Sequence, residues 1–416
     1  MGGNVEVRYI LLIIFFFFSV GLSAATIQVG KKKTHKSIRS AVEAAADGDT
    51  ILVDAGNYKE GNLFINKPGL VLKGINRPVL DGENKFEIIT IKANRVVIDG
   101  FKLINSGISS LEDISGIKVH ESHSVSILNN LLENTFFGIF LSNTVNTTVE
   151  NNRLNAFSLQ EHESGNGIHC WKSDSLKLIG NFISGHRDGI YFEFVKNSVI
   201  WRNISKANLR YGLHFMFSND DMYVNNVFRN NGSGVSVMYS NRIKMFSNYF
   251  EENWGDAAHG ILLKEISDGF MEGNYFMKNT SAVYMEGANR IYMKRNVFEN
   301  NGWALKIQAS CADVVLELNN FIGNTFDVGT NGSLVLNFFK NNYWDKYEGY
   351  DLNKDKVGDI PYRPVSMYSM IVEKYPPAMI LFRSFITTLL DKTEKILPSL
   401  TPENLKDTAP MMNKAF

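Results

Sequence analysis

The chain has 416 residues, and its 43 Lys and Arg balance 43 Asp and Glu, so no net field draws it to nucleic acid or to an anionic membrane face. Two cysteines, Cys170 and Cys311, exclude a disulfide framework. The length exceeds an average domain, but a solenoid adds coils without enlarging any one core, so several globular domains are not required.

The chain opens with Arg8, an apolar run from Tyr9 to Val20 and small residues through Ala25. This is the layout of a cleaved secretory signal over 1–25, and it predicts export from the cytoplasm. A membrane anchor is the alternative, but the run is short for a spanning helix. Next, Ser37 to Ala46 reads as a short amphipathic helix, followed by a strand over Thr50 to Val53. Together they form a predicted N-terminal cap, because an open coil is an aggregation edge.

From here a repeat takes over. A small residue followed by alternating apolar positions recurs at Gly116, Gly138, Gly167, Gly189, Gly212, Gly234, Gly260, Ala282 and Ala304, mostly 22 or 23 residues apart. Fourteen residues after each of the first eight stands an asparagine: Asn130, Asn152, Asn181, Asn203, Asn226, Asn248, Asn274 and Asn296. That period belongs to stacked coils. The chain is therefore read as all-β, a right-handed parallel β-helix of about nine or ten coils over 26–344, cap included. The first and third residues after each small one are apolar throughout, from Ile117 and Val119 to Leu305 and Ile307, and should point inward as ladders. The asparagines should turn the corner, tolerating left-handed backbone and hydrogen-bonding along the stack. Phe228, Phe250, Phe276 and Phe298 should stack inside. Two insertions, Leu159 to Gly165 and Trp254 to His259, fall at the same corner.

With those columns inward, the second and fourth residues after each small one face out. His214 and Met216 then share one strand, and Met238 lies beside Met216 one coil on. An imidazole and two thioethers suit soft copper, Cu(I) above all, with His169 a further candidate two coils away. The alternative is an apolar outward ladder covered by the C-terminal tail. Polysaccharide cleavage would need two carboxyl groups across the scissile bond. This face offers Glu193 in its middle, with Asp188, Glu161 and Glu163 as possible partners.

After Trp344 the pattern stops, and 345–375 reads as a loop or linker. Within it, Asp351, Asn353, Asp355 and Asp359 alternate as oxygen ligands do around Ca²⁺, although Lys356 replaces the turn glycine. The remainder, 376–416, is read as an amphipathic tail, helical over Ala378 to Leu397 and too short in its apolar part to span a bilayer. Capping the core, lying on a membrane or docking a partner all remain open for it. Docking would use Met379, Leu381, Phe382, Phe385 and Leu389, on a segment from which the coil stack should be independent.

The outward residues of Gly165-Asn-Gly-Ile-His-Cys-Trp171, His186-Arg-Asp-Gly-Ile-Tyr-Phe-Glu-Phe194, Arg210-Tyr-Gly-Leu-His-Phe-Met-Phe-Ser218, Gly234-Val-Ser-Val-Met-Tyr-Ser240 and Gly260-Ile-Leu-Leu-Lys-Glu265 are not demanded by the coil. In these segments the chain resembles the NosD family of periplasmic β-helix proteins, and the likeness runs from the cap helix to Leu400-Thr-Pro-Glu403. The resemblance implies a non-enzymatic accessory of an ABC transporter of the NosF and NosY type. With a NosL-type copper chaperone, such a protein helps furnish copper to nitrous oxide reductase. It also implies that the C-terminal helix docks the membrane subunit and that His214, Met216 and Met238 form a transfer site. A carbohydrate-active β-helix and a surface adhesin stay as alternatives.

Overall fold

The fold was obtained as a computed structural model that describes residues 24–109, 111–332, 336–396 and 405–416. All but the last two residues of the expected signal segment fall outside these. Short strands stack, all in parallel, into three sheets of 14, 13 and 12 strands, about fourteen turns of a right-handed β-helix. We call them the long, middle and front sheets. One coil illustrates the path: Ser115–His120 lies in the front sheet, Ser126–Leu128 in the long sheet and Leu131–Glu133 in the middle sheet, before Phe137–Ser142 rejoins the front.

The stack is longer than the expected nine or ten coils. Leu63–Ile65 and Ile89–Ile91 extend the front sheet below Ser115–His120, and Thr50–Val53 is no cap but the second strand of the long sheet. These early coils carry no asparagine at the corner; Phe101 occupies that place and donates its N–H to Asn130 Oδ1. A count keyed to asparagine therefore starts too late. The cap itself is helix α1 (Ile38–Ala44), begun where the Ser37 side chain accepts from Ser40 N–H, and it buries Ile38, Ala41 and Val42.

Inside, the expected columns hold: Ile117, Ile139, Ile168, Ile190, Leu213, Val235, Ile261, Val283 and Leu305 are fully buried, as are their partners two residues on. The small residue precedes them because the next coil's backbone passes close by. A Cβ on Gly138 would sit 2.4 Å from the Gly167 carbonyl oxygen and from Leu154. The phenylalanine stack runs beyond its predicted members, from Phe228 through Phe250, Phe276, Phe298 and Phe321 to Trp344, with ring centroids 4.0 to 5.5 Å apart.

The asparagines act along the stack rather than by bending the backbone. Each accepts, on Oδ1, the N–H and Nδ2–H of the asparagine one coil below, and donates Nδ2–H to a carbonyl. The left-handed residue is the one before it: Asn129, Asn151, Arg202, Asn225, Ser247, Arg295, Leu318. The buried position thus requires the amide, whereas the exposed one takes many residue types. A second buried ladder, Asn208, Asn231, Asn253, Asn279, Asn301 and Asn324, lines the next corner.

The C-terminal part departs from the expected loop and independent tail. Helix α2 (Met367–Lys374) lies within 345–375, and Tyr368 and Val372 pack on Trp303 and Phe326 of the front sheet. Lys306 Nζ reaches Glu373 at 2.7 Å across the same contact. A 3-10 turn (Pro376–Leu381) and helix α3 (Phe385–Ile396) follow. The single helix expected over Ala378 to Leu397 is interrupted at Arg383, whose φ is +61°. The chain then returns to the stack: Leu405 is buried in the main core. Asp407 Oδ2 accepts from Asn342 N (3.0 Å), Asn342 Nδ2 (2.9 Å) and Trp344 Nε1 (3.1 Å), ending the asparagine ladder with a carboxylate. The coil stack is not independent of the tail.

Candidate metal and docking face

Three columns of side chains face outward from the front sheet. The residue before each small one forms the first: Ser115, Phe137, Asn166, Asp188, Tyr211, Ser233, His259, Ser281 and Trp303, with Phe326 next in register. The second runs Phe140, His169, Tyr191, His214, Ser236, Leu262 and Tyr284, and the third Ser142, Trp171, Glu193, Met216, Met238, Lys264 and Glu286, each residue in register with its neighbour. Met216 and Met238 are thus paired across adjacent coils, the register expected from the repeat, and are partly exposed. Helix α2 covers this face only at its C-terminal end, over Trp303 and Phe326, and not over the methionines.

His214 is better buried than an outward residue would suggest, at 6% exposure. Its Nδ1 lies 3.5 Å from Asp188 Oδ2. Arg210 holds that carboxylate from Nε (3.1 Å) and Nη2 (3.0 Å), and the Tyr211 N–H also donates to it. Burial raises the Asp188 pKa, but the contacts with His214 and Arg210 outweigh it and hold the carboxyl below its ordinary value. Tyr191 and Tyr211 pack against the imidazole with ring centroids 5.0 and 4.7 Å away. The other ring nitrogen, Nε2, is buried with no hydrogen-bond partner, and so is Oγ of Ser236, its register neighbour one coil on. Tyr191 Oη stands 3.5 Å from both Met216 Sδ and Glu193 Oε2. Burial, with Glu193 and Asp188 adding to it, pushes this phenol up to about 12, so it stays protonated.

His169 stacks between Phe140 and Tyr191, with ring centroids at 4.5 and 4.7 Å, so the Tyr191 ring separates it from His214. Burial, aided by the charge of Arg187, lowers its pKa to about 3 and keeps it neutral. Of the four acids considered for polysaccharide cleavage, Asp188 is engaged as above and Glu163 accepts from the N–H groups of Leu159 and Gln160, while Glu161 lies 3.9 Å from Arg210 and Glu193 has Tyr191 Oη at 3.5 Å. In the acidic loop, Asp351 accepts from the amides of Asp355 and Lys356, Asp355 from that of Val357, and Asp359 from that of Leu352; Asn353 Oδ1 also accepts from Asp355 N–H. Among the described residues, no three carboxyl, imidazole or thiol groups converge to hold an ion.

Two features escaped the sequence reading. Asp188 was weighed only as an acid beside Glu193, not as a neighbour of His214; it and Tyr211 belong to the column before the small residue, which has a fixed register and was open to the same count. An exposed stack of Phe194, Phe217 and Tyr239, with ring centroids 5.2 and 5.1 Å apart, flanks Glu193, Met216 and Met238 one residue further on. All three adopt left-handed backbone, which is uncommon for bulky residues. The tail residues singled out for docking are all surface-facing: Phe385 is 80% and Leu389 52% exposed, with Met379, Leu381 and Phe382 partly so and Ile380 at 88% beside them. Among the described residues no helix is long and apolar enough to cross a membrane.

Fold and face together define a parallel β-solenoid with an outward face of three side-chain columns. The family model described as "Periplasmic copper-binding protein (NosD)" matches residues 154–354. A "Probable ABC transporter binding protein NosD" of Pseudomonas aeruginosa is 28% identical over 383 residues, covering 88% of this chain and 89% of its own length. Its namesake from Stutzerimonas stutzeri is 24% identical, covering 86% and 85%. The chain is thus similar to the NosD proteins over most of its length. Among solved structures, a PL6 alginate lyase in complex with a trisaccharide shares the fold at a TM-score of 0.59 and 10% identity, over 77% of this chain and 85% of the lyase.

Proposed function

We propose that this chain is a periplasmic, non-enzymatic accessory of an ABC transporter that supports copper-centre assembly in nitrous oxide reductase. It takes Cu(I) from a copper chaperone on the face of His214, Met216 and Met238. The observation that carries the reading is the register pairing of two partly exposed methionines beside a histidine whose Nε2 has no partner. Imidazole and thioethers are soft ligands, and an incomplete set suits a cargo ion that must be released. The exposed stack of Phe194, Phe217 and Tyr239 gives a chaperone an aromatic anchor next to the methionines. Helix α3 and the turn before it, with Ile380, Phe385 and Leu389 exposed, supply the dock for the membrane subunit.

The test is Cu(I) competition titration under reducing conditions of the purified protein and a His214→Ala, Met216→Leu, Met238→Leu variant. Binding should fall at least tenfold with the circular dichroism unchanged, and cells carrying the variant should produce reductase low in copper. A variant that binds Cu(I) as tightly and matures the reductase fully refutes the reading. For the dock, Ile380→Asp with Phe385→Asp should abolish co-purification with the transporter without moving the melting temperature.

A further inference from the structure

The outward face holds a buried ion pair that neither the coil nor the methionines require. Asp188 is fully buried, receives two hydrogen bonds from Arg210 and one from the Tyr211 backbone, and still has an oxygen 3.5 Å from His214 Nδ1. Arg210 Nη2 is equally 3.5 Å from Nδ1, so the geometry alone offers that nitrogen both a donor and an acceptor. Electrostatics decides between them. A bare Nδ1 lone pair would face an ionised carboxylate in a water-poor site, whereas an Nδ1–H aimed at it is attracted. Arg210 is already committed to both Asp188 oxygens at about 3 Å. The proton therefore belongs on Nδ1, which leaves Nε2 with its lone pair bare.

Two atoms then lack partners at paired positions of adjacent coils, Nε2 of His214 and Oγ of Ser236, both buried. Buried polar groups without partners are uncommon and cost stability. A ring nitrogen without a proton, fixed in orientation by a carboxylate behind the ring, is the arrangement by which proteins prepare an imidazole for a metal.

We propose that Asp188 is a positioning residue: anchored by Arg210, it locks His214 in the Nδ1–H tautomer so that Nε2 is the atom presented to a soft metal ion. This rests on the copper reading above and adds the device that makes His214 a ligand before any ion arrives. Loss of such a partner typically weakens metal binding 10- to 100-fold.

The chain has eight histidines, so selective ¹⁵N-histidine labelling of the purified protein without metal resolves each ring, with His214→Ala giving the assignment. His214 should show protonated Nδ1 and unprotonated Nε2. An Nε2–H tautomer in the wild-type protein overturns the proposal without recourse to any variant. In Asp188→Ala the tautomer preference should be lost and Cu(I) affinity should drop tenfold or more. Asp188→Asn, which keeps an acceptor and the shape, should show a smaller drop. If Asp188→Ala does not fold, Asp188→Asn carries the comparison; unchanged tautomer and affinity in the variant that folds also overturn the proposal. Should the triple ligand variant keep its copper while the wild-type tautomer is Nδ1–H and Asp188→Ala loses it, the copper reading fails and the positioning by Asp188 stands.

Discussion

Asp221 gives the most quantitative test of the interior. It sits inside the coil at 1% exposure, next to Ser198 of the coil below, whose N–H donates to Oδ1 at 2.8 Å; Oδ2 has no partner. Burial raises its pKa from 3.8 to about 8, against the lowering effect of the Ser198 amide. At neutral pH the folded chain therefore holds a proton that the unfolded chain has released. The folded pKa is the higher one, so this contribution to stability is complete below about pH 4, is lost as pH rises, and levels off above pH 8. The slope is about 1.4 kcal/mol per pH unit. His169 and His186, lowered to about 3, and His259, lowered to about 4, act in the opposite sense, mainly below pH 6.5. Asp327 is raised as well, but it and the histidines are common to wild type and variant and cancel in the difference. Asp221→Asn keeps the acceptor for Ser198 and removes the titration. Its stability advantage over wild type should widen by roughly 2 kcal/mol between pH 6.5 and 8, measured by urea unfolding at fixed ionic strength. A difference that stays flat over that interval would show that Asp221 is ionised in the fold and that water or a partner reaches Oδ2.

Other consequences follow from the ladders. Asn226→Ala removes the acceptor of Asn203 N–H and Nδ2–H and the donor to Ile200 O, and should cost roughly 3–5 kcal/mol in denaturant unfolding; a loss below about 1 would mean the ladder is incidental. Phe215→Ala, at a fully buried inward position, should destabilise by about 3–5 kcal/mol, and Met216→Ala on the outward face by less than about 1. Equal losses would reverse every facing assignment. Asp407→Ala removes three hydrogen bonds, leaving Asn342 N–H and Trp344 Nε1–H without their acceptor while Asn342 Nδ2 keeps Leu316 O, and should cost roughly 2–4 kcal/mol, with faster proteolysis from the C-terminus.

What could be read from the sequence was whatever repeats. Inward columns, the first asparagine ladder and the pairing of Met216 with Met238 follow from a period of 22 or 23 residues, because a parallel stack places equal register positions side by side. The early coils were missed because their corner residue is Phe101 rather than asparagine, and the second ladder because Asn208 and its partners were not counted at their own offset. The setting of His214 is of another kind. Its contact with Asp188 joins two columns of adjacent coils, and no periodicity marks which residues of neighbouring columns will touch. Asp407 is further still from a pattern, since it reaches Asn342 over 65 residues of non-repeating chain.

The shape of the molecule constrains how a transfer face can work. Neighbouring coils are fixed about 4.8 Å apart, so Met238 and the strand of Trp303 that seats helix α2, three strands on, are separated by roughly 15 Å along one face. A subunit docked on the tail and a protein docked over the methionines would be neighbours on that surface, each in reach of the other. The coils around the methionines cannot bend to gather distant ligands, because their strands are hydrogen-bonded on both sides and their asparagine corners are pinned by buried amides. On the proposed reading, movement would come from the bound proteins or from the tail, which is anchored at Ala378 and Leu390 on the cluster of Trp303 and Phe326 and again at Leu405 and Asp407 in the coil stack.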